Sequence, residues 1–242
     1  MIIFDSGVGG LSILKELPRS YSYTYLADQA YFPYGSKRGG VLTKRLEDIA
    51  NWAAGENPDL VVIACNTATV GGIQLLRTRL SCPVVAVEPV VKPASRYNKA
   101  LILGTTATLA SVRMKKLIKS YKGHILTYTP PGLPAAIEAM DTDLIQQIIE
   151  SVKRKVEEGY IEAIGLSCTH YPLIKDIFQT AMPGIDILDP SSAVANQVIK
   201  QRPGGADTGK KIFLTTGDVL RFKDQIKYYL GVTCEPISVT IP

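Results

Sequence analysis

The stretch Val62-Ile63-Ala64-Cys65-Asn66-Thr67 has a counterpart 103 residues further along the chain, Gly165-Leu166-Ser167-Cys168-Thr169-His170. Each starts as an apolar run typical of a buried strand and continues with a cysteine and small polar residues before a helical pattern. A second pair repeats at nearly the same spacing, because Ile3-Phe4-Asp5-Ser6 is echoed 99 residues later by Ile102-Leu103-Gly104-Thr105. These repeats predict two similar halves, with chance similarity among strand–turn–helix units as the alternative.

Short runs of branched apolar residues alternate with helical patterns along the chain. The predicted strands cover residues 2–4, 60–64, 84–87, 101–103, 161–166 and 212–214. The predicted helices cover residues 11–17, 43–54, 108–119, 143–157 and 173–180. Such alternation favours an α/β fold in which helices cover parallel sheets on both faces, and sites in such folds form at the carboxyl ends of the strands.

The 242 residues suffice for two domains. We expect the strands that end at Asp5 and Ala64 to share one sheet, and those that end at Leu103 and Ser167 to share another. The segment from about residue 191 is expected to pack back on the first half. The predicted first domain therefore comprises residues 1–88 and 190–242, and the second comprises residues 89–189.

Composition excludes several classes of protein. Hydrophobic residues make up 46% and charged residues 20%, as in soluble globular proteins. The net charge of +5 comes from scattered basic residues, among them Lys44 and Arg45, and most of these lie on predicted helices, where a solvated face explains them. Without a long basic block interleaved with aromatic residues, no nucleic-acid partner is expected. A mild positive field suits an anionic substrate.

No membrane association is expected from the sequence. The charge-free stretch of residues 60–76 contains Asn66, Thr67 and Gln74, which is typical of a buried strand followed by a helix and not of a membrane span. The first residues carry neither a basic region nor a long apolar run, so no signal peptide is predicted. The expected location is the cytoplasm.

The cysteines are not arranged for disulfides or for zinc. The chain has four, at positions 65, 82, 168 and 234, and no pair has Cys-x-x-Cys spacing. Its two histidines, His124 and His170, supply a zinc site poorly. A thiol-redox protein is a further alternative, which requires two cysteine Cα atoms within about 7 Å of each other.

Cys65 and Cys168 are the candidate catalytic residues. Each follows a predicted strand and precedes a helix, whose positive N-terminus favours a thiolate. If the halves face each other, the thiols flank one ligand, as a two-base racemase requires: one base removes the Cα proton and the other returns a proton to the opposite face. The plainer alternative is a pair of small core residues, but their matched positions favour chemistry.

Other polar residues lie near these cysteines in the predicted fold. Asp5 follows a buried strand, where it either caps the turn Asp5-Ser6-Gly7 or serves the site. Gly7, Gly9 and Gly10 permit a ligand carboxylate to approach the backbone, but they complete neither a phosphate loop nor a dinucleotide motif. His170 either packs or caps a helix, or it tunes the thiol of Cys168.

Four segments closely resemble the signature segments of bacterial glutamate racemases, and their order and spacing match along nearly the whole chain. They are Phe4-Asp5-Ser6-Gly7-Val8-Gly9-Gly10, Pro33-Tyr34-Gly35, Ala64-Cys65-Asn66-Thr67-Ala68 and Cys168-Thr169-His170-Tyr171-Pro172. The resemblance implies two α/β domains related by pseudo-twofold symmetry, with the substrate between them. It also implies that no pyridoxal phosphate, metal or nucleotide is used, and that the D-glutamate produced supplies bacterial peptidoglycan.

The resemblance also implies roles for individual residues. Cys65 would deprotonate D-glutamate with help from Asp5, and Cys168 would deprotonate L-glutamate with help from His170. The implied substrate-binding residues are Ser6, Pro33, Tyr34, Gly35, Asn66, Thr67, Thr108 and Thr169. Asp28 and Glu138 are similar to two further acidic positions near the site. Preorganised donors around the substrate carboxylate would stabilise the carbanion.

The chain also departs from the family pattern. Ser167 stands where the family usually has glycine before the second cysteine, and Thr129-Pro130-Pro131 replaces a segment that commonly carries a small residue and cysteine before proline. The compact region of residues 128–143 makes the placement of Glu138 the weakest of these assignments. An N-terminal extension that some members use for activation by a cell-wall precursor is expected to be lacking.

Two other functions fit the same sequence. One is a racemase of the same fold that acts on aspartate or another amino acid. The other is a non-catalytic module that binds a small anion and whose cysteines are structural. The sequence leaves the oligomeric state open, with a homodimer as one option.

Overall fold

The computed structural model describes residues 1–37, 40–202 and 208–242. The chain divides into two compact units, Met1–Val87 with Ser191–Pro242, and Glu88–Pro190. Each unit contains one sheet, and all recorded strand pairs are parallel. The expectation of two parallel-sheet α/β domains is therefore confirmed.

The strands are numbered in chain order. They are β1 (Ile2–Asp5), β2 (Tyr23–Ala27), β3 (Val61–Ile63), β4 (Val84–Ala86), β5 (Lys99–Gly104), β6 (His124–Tyr128), β7 (Ala163–Ser167), β8 (Asp186–Leu188), β9 (Lys211–Thr215) and β10 (Ile237–Ser238). The sheet of the first unit has six strands in the order β10-β9-β2-β1-β3-β4, and that of the second has four in the order β6-β5-β7-β8.

The α-helices alternate with these strands. In the first unit they are α1 (Leu11–Glu16), α2 (Val41–Gly55), α3 (Asn66–Arg79), α10 (Ser191–Gln201) and α11 (Val219–Leu230). In the second they are α4 (Val91–Ala94), α5 (Thr106–Ala110), α6 (Val112–Ser120), α7 (Leu133–Ala139), α8 (Thr142–Gly159) and α9 (Lys175–Ala181). Short 3-10 helices cover Gln29–Tyr31, Tyr34–Ser36 and Tyr171–Ile174.

The repeated sequence segments form the same strand pair in each sheet. β1 lies beside β3 with Phe4 opposite Ile63, and β5 lies beside β7 with Leu103 opposite Leu166. These partners are the equivalent residues of the two repeats, so the register is conserved along with the sequence. The prediction that each pair of strands shares a sheet is confirmed. All four strands are buried on both faces, which explains their nearly continuous apolar runs.

All six predicted strands are present, but the sequence patterns missed β2, β6, β8 and β10. The β6 strand lies at the edge of its sheet, and three of its five residues are exposed, so it lacks the apolar run of a buried strand. β8 and β10 are only three and two residues long. Short or edge strands give the weakest periodic signal.

The helix predicted at residues 108–119 is present as two helices, α5 and α6, because the chain breaks it at Ser111. Ser111 has an extended backbone, and its hydroxyl accepts a hydrogen bond from the Met114 N–H at 3.1 Å, which caps α6. The same hydroxyl donates to the carbonyl of Thr108 at 2.7 Å. Serine favours this capping geometry over a helix interior. Thr108 consequently lies in the short helix α5.

The core of the first unit packs α2 and α3 against the sheet. Leu46 and Ile49 of α2 contact the cluster that contains Phe4, Ile63 and Cys65. The two helices approach closely because Gly72 has no side chain, and a Cβ there would lie 2.4 Å from a methyl carbon of Leu46. In the part of the chain that the structure describes, no helix combines the length and apolar character needed to cross a membrane.

Candidate active site

The first candidate half-site lies where β1 and β3 end. Cys65 follows β3 and is only 5% exposed, and its Sγ donates to Ser6 Oγ at 3.8 Å. Ser6 Oγ in turn donates to Asp5 Oδ1 at 3.4 Å, and the Gly7 N–H donates to the same oxygen at 2.8 Å. The Asp5 carboxylate therefore closes the local turn and also reaches the thiol through Ser6. We call Asp5, Ser6 and Cys65 the Cys65 cluster.

Cys65 is also the residue that begins α3. It occupies the N-cap with an extended backbone, so its thiol lies at the positive end of a helix of 14 residues. Asn66 and Thr67 form the first positions of this helix and are buried. Both polar atoms of the Asn66 carboxamide are buried without a hydrogen-bond partner among the described residues. A buried unsatisfied amide is costly, so this group is suited to bind a polar ligand.

The setting of Cys168 differs from that of Cys65. Cys168 follows β7 and is 5% exposed, but no α-helix begins there. The Tyr171 N–H donates to the carbonyl of Cys168 at 3.0 Å, and a 3-10 helix follows. Pro172 lies in the first turn of this 3-10 helix, where its missing backbone N–H costs no hydrogen bond. The expectation of a helix N-terminus at both cysteines is thus wrong for Cys168.

A buried histidine takes the place of the helix beside Cys168. His170 Nδ1 lies 3.9 Å from Cys168 Sγ, and Nε2 lies 2.8 Å from Glu138 Oε1. Burial by itself lowers the pKa of His170, but the hydrogen bonds to Cys168 and Glu138 and their charges raise it well above its usual value. The ring of His170 thus joins the thiol of Cys168 to the carboxylate of Glu138. Cys168, His170 and Glu138 form the Cys168 cluster.

Asp28 and Tyr34 form a further buried group in the first unit. The Tyr34 hydroxyl donates to Asp28 Oδ2 at 2.6 Å, and Thr216 Oγ1 donates to Asp28 Oδ1 at 2.9 Å. Arg45 donates to both carboxylate oxygens, from Nη2 at 2.6 Å and from Nε at 2.9 Å. The pKa of Tyr34 is raised well above its usual value, chiefly by burial and then by Asp28, with Cys65 contributing.

The structure divides the predicted site residues between the two units. The first unit holds Asp5, Ser6, Asp28, Pro33, Tyr34, Gly35, Cys65, Asn66 and Thr67, and the second holds Thr108, Glu138, Cys168, Thr169 and His170. All of them are buried except Pro33 and Gly35. Thr108 accepts a hydrogen bond from Thr105 at 3.0 Å near the start of α5.

Arg45 is the residue that the sequence patterns assigned wrongly. It was expected on a solvated helix face, yet its side chain is 2% exposed and ion-paired with Asp28. The signal was available in the sequence, because Arg45 comes three residues after Leu42 and four before Ile49. That spacing places it within the apolar stripe of α2.

The departure at Ser167 creates a local contact. The Ser167 side chain is fully buried, and its hydroxyl accepts a hydrogen bond from the Val90 N–H at 3.2 Å. A glycine at this position lacks the hydroxyl. Ser167 therefore ties the strand that precedes Cys168 to the segment before α4.

All four cysteines are free thiols. Within residues 1–37, 40–202 and 208–242, no group of three or more histidine, cysteine, aspartate or glutamate side chains is arranged to hold a metal ion.

Comparisons with known proteins place this chain in a family. The sequence model of the Asp/Glu/Hydantoin racemase family matches residues 35–198. The glutamate racemase of Ralstonia pickettii is 33% identical over 248 residues, which cover 95% of this chain and 87% of the relative. The crystal structure of glutamate racemase isoform RacE1 from Bacillus anthracis has a TM-score of 0.84 at 25% identity, covering 100% of this chain and 97% of that one. Aspartate racemase from Picrophilus torridus shares the fold, with a TM-score of 0.58 at 18% identity over 82% of this chain and 91% of that one. The chain belongs to the Asp/Glu/Hydantoin racemase family.

Proposed function

We propose that this racemase interconverts L-glutamate and D-glutamate by two-base proton transfer at Cα, with Cys65 and Cys168 as the bases and without a cofactor. One observation carries the proposal. In each repeat a buried cysteine follows the equivalent strand, and each thiol contacts its own set of polar side chains. A pair of core cysteines needs neither the Cys65 cluster nor the Cys168 cluster. The glutamate racemase from Ralstonia pickettii supports the choice of substrate.

In one proposed turnover, one thiol takes a proton from Cα and the other gives a proton back. The Cys65 thiolate takes the Cα proton of D-glutamate, and the electron pair of the C–H bond stays on Cα and spreads into the adjacent carboxylate. The Cys168 thiol then gives its proton to the opposite face of Cα, and L-glutamate is formed. Cys65 ends as a thiol and Cys168 as a thiolate, which is the state that the reverse reaction requires.

The two clusters support their thiols by different means. The Ser6 hydroxyl accepts a hydrogen bond from the Cys65 thiol and donates one to the Asp5 carboxylate, so it links the two side chains. His170 is fixed by Glu138, its pKa is raised by these contacts, and its Nδ1 lies 3.9 Å from the sulfur of Cys168. In the proposed reaction, each set of contacts assists proton gain or loss at the sulfur that it surrounds. The proposed roles of Asp5 and His170 are therefore those of positioning and tuning residues.

The substrate carboxylate requires fixed donors where negative charge develops. Asn66 supplies an amide N–H group whose hydrogen-bonding capacity is unused within the described residues. Thr67 lies beside it, and Thr169 occupies the equivalent position after Cys168. We assign these residues, together with Ser6, Tyr34, Gly35, Pro33 and Thr108, to substrate binding. The D-glutamate formed would supply bacterial peptidoglycan.

Incubation of the protein in D₂O with L-glutamate tests this function. Proton NMR is expected to show loss of the Cα–H signal as D-glutamate accumulates, with deuterium in the product before it enters the remaining L-glutamate. That order follows because the proton returned to Cα comes from a second base that has exchanged with solvent. Exchange of aspartate but not of glutamate would move the assignment to an aspartate racemase. The absence of exchange with either amino acid would contradict a racemase of these substrates.

A further inference from the structure

Arg45 connects three parts of the first unit through one guanidinium group. Its Nε and Nη2 bind the carboxylate of Asp28, and its Nη1 donates to the carbonyls of Ile241 at 2.8 Å and Pro242 at 3.2 Å. The guanidinium carbon also lies 4.1 Å from the centroid of the Tyr31 ring. The side chain is 2% exposed, so water does not compete for these bonds.

The carboxylate of Asp28 is fully occupied by these neighbours. Oδ1 accepts from Arg45 Nη2 and Thr216 Oγ1, and Oδ2 accepts from Arg45 Nε and the Tyr34 hydroxyl. A carboxylate offers about four lone-pair positions, and four donors use them. Asp28 is therefore not available as a base for a substrate, and its chemistry is that of a fixed acceptor.

The fixed acceptor determines the position of Tyr34. The Tyr34 hydroxyl donates to Asp28 at 2.6 Å, and the ring is 1% exposed within the apolar cluster that also contains Cys65. Phe4 and Ile63, the strand residues next to the Cys65 half-site, belong to the same cluster. Arg45, Asp28 and Tyr34 thus form a continuous series of contacts that ends in the buried cluster containing Cys65.

We propose that Arg45 is a positioning residue for the Cys65 half of the reaction, holding Asp28 and through it Tyr34 against the Cys65 cluster. This inference rests on the proposed function, in which Cys65 serves D-glutamate and Cys168 serves L-glutamate. The bidentate geometry is essential, because a planar guanidinium fixes both carboxylate oxygens while an ammonium binds as a single point. The charge alone does not fulfil the role.

The test compares Arg45→Lys with wild type on the two enantiomers of a glutamate analogue that carries a leaving group at the β-carbon or on nitrogen. Elimination from such an analogue needs only one proton abstraction, so each enantiomer reports on one thiol. The D-enantiomer is expected to react about tenfold more slowly, because a shift of Tyr34 misplaces the Cys65 half-site. The L-enantiomer is expected to keep its rate. Equal losses with both enantiomers, or no loss with either, would overturn the inference.

A double-mutant cycle shows whether Arg45 acts through Tyr34. Tyr34→Phe removes the hydroxyl bonded to Asp28. The rate of D-enantiomer elimination in the double variant should be no lower than in the slower single variant, and not lower by the product of the two single effects. Multiplied losses would mean independent actions and contradict the proposed route. If Arg45→Lys does not fold, the neutral pair Arg45→Gln with Asp28→Asn leaves no unpaired buried charge and is measured in the same assay.

Two controls separate this inference from the proposed function. Arg113→Lys changes another arginine that binds a carboxylate through two nitrogens, here Glu88 in the second unit, and should leave both enantiomers unaffected. Wild-type racemisation of glutamate tests the function itself. If wild type racemises glutamate while Arg45→Lys shows no enantiomer preference, the positioning role fails and the function stands. If wild type does not racemise glutamate, the proposed function itself is rejected, independently of the result for Arg45→Lys.

Discussion

His170 Nε2 lies 2.8 Å from Glu138 Oε1, and both side chains are buried beside Cys168. The contacts with Cys168 and Glu138 outweigh the effect of burial and raise the pKa of His170 well above its usual value. These contacts therefore favour the protonated form of His170, whose ring lies between the thiol of Cys168 and the carboxylate of Glu138. In the other half, Cys65 relies on Ser6, Asp5 and the start of α3.

The raised pKa of His170 predicts how stability depends on pH. A group whose pKa is higher in the folded state stabilises that state fully below its unfolded pKa of about 6.5, and the contribution disappears as the pH rises through the folded value. The difference in free energy of unfolding between wild type and His170→Asn should therefore shrink from pH 6.5 upward in urea titrations. A difference that grows over that range would contradict the raised pKa of His170. His124→Asn, at an exposed position in β6, controls for the loss of a histidine.

Asp5 and His170 should affect the two reaction directions differently. We expect Asp5→Asn to lower kcat more for D-to-L turnover and His170→Asn to lower it more for L-to-D turnover, because each residue supports a different thiol. The primary deuterium isotope effect on kcat should rise in the same direction. The ratio kcat/KM must change equally in both directions, since the equilibrium constant is fixed, and is not informative. Matching kcat losses in both directions for both variants would remove this division of roles.

Asn66→Ala should weaken substrate binding without much loss of stability. The Asn66 amide has no hydrogen-bond partner among the described residues, so its removal leaves no protein group unpaired. We expect KM for glutamate to rise about tenfold and the free energy of unfolding to stay within about 1 kcal/mol of wild type. Thr69→Ala is a suitable comparison, because the Thr69 hydroxyl donates to the Cys65 carbonyl at 3.0 Å and has a structural partner. An unchanged KM for Asn66→Ala would exclude this residue from binding.

The central strands and both cysteine positions were predictable from the sequence. Buried parallel strands require continuous apolar runs, and the repeated segments around Cys65 and Cys168 show where those runs end. The β2 strand, Tyr23–Ala27, was missed although it lies beside β1, because its tyrosines and threonine interrupt the aliphatic pattern. Apolar patterns therefore identify aliphatic strands more readily than strands that are rich in aromatic residues or lie at the edge of a sheet.

The polar environment of the site was less predictable. The pairing of Arg45 with Asp28 joins residues 17 positions apart, and the contact between Glu138 and His170 joins residues 32 apart. Sequence spacing cannot give such contacts, since they depend on how the elements pack. The resemblance to glutamate racemases pointed to Asp28 and Glu138 as acidic positions, and the structure adds the partner of each. The resemblance did not point to Arg45, and its position in the apolar stripe of α2 indicated burial but not its partner.

The most direct test of the account is the activity of Cys65→Ser and Cys168→Ser, with Cys82→Ser as the matched control at a half-buried cysteine outside both clusters. Each catalytic replacement should lower glutamate racemisation by about 100-fold or more, because a serine hydroxyl is a far poorer base than a thiolate. Cys65→Ser should still eliminate the leaving group from the L-form of the analogue, and Cys168→Ser from the D-form, since one abstraction suffices. Cys82→Ser should behave as wild type. Racemisation at the wild-type rate by either Cys65→Ser or Cys168→Ser would contradict the two-thiol mechanism.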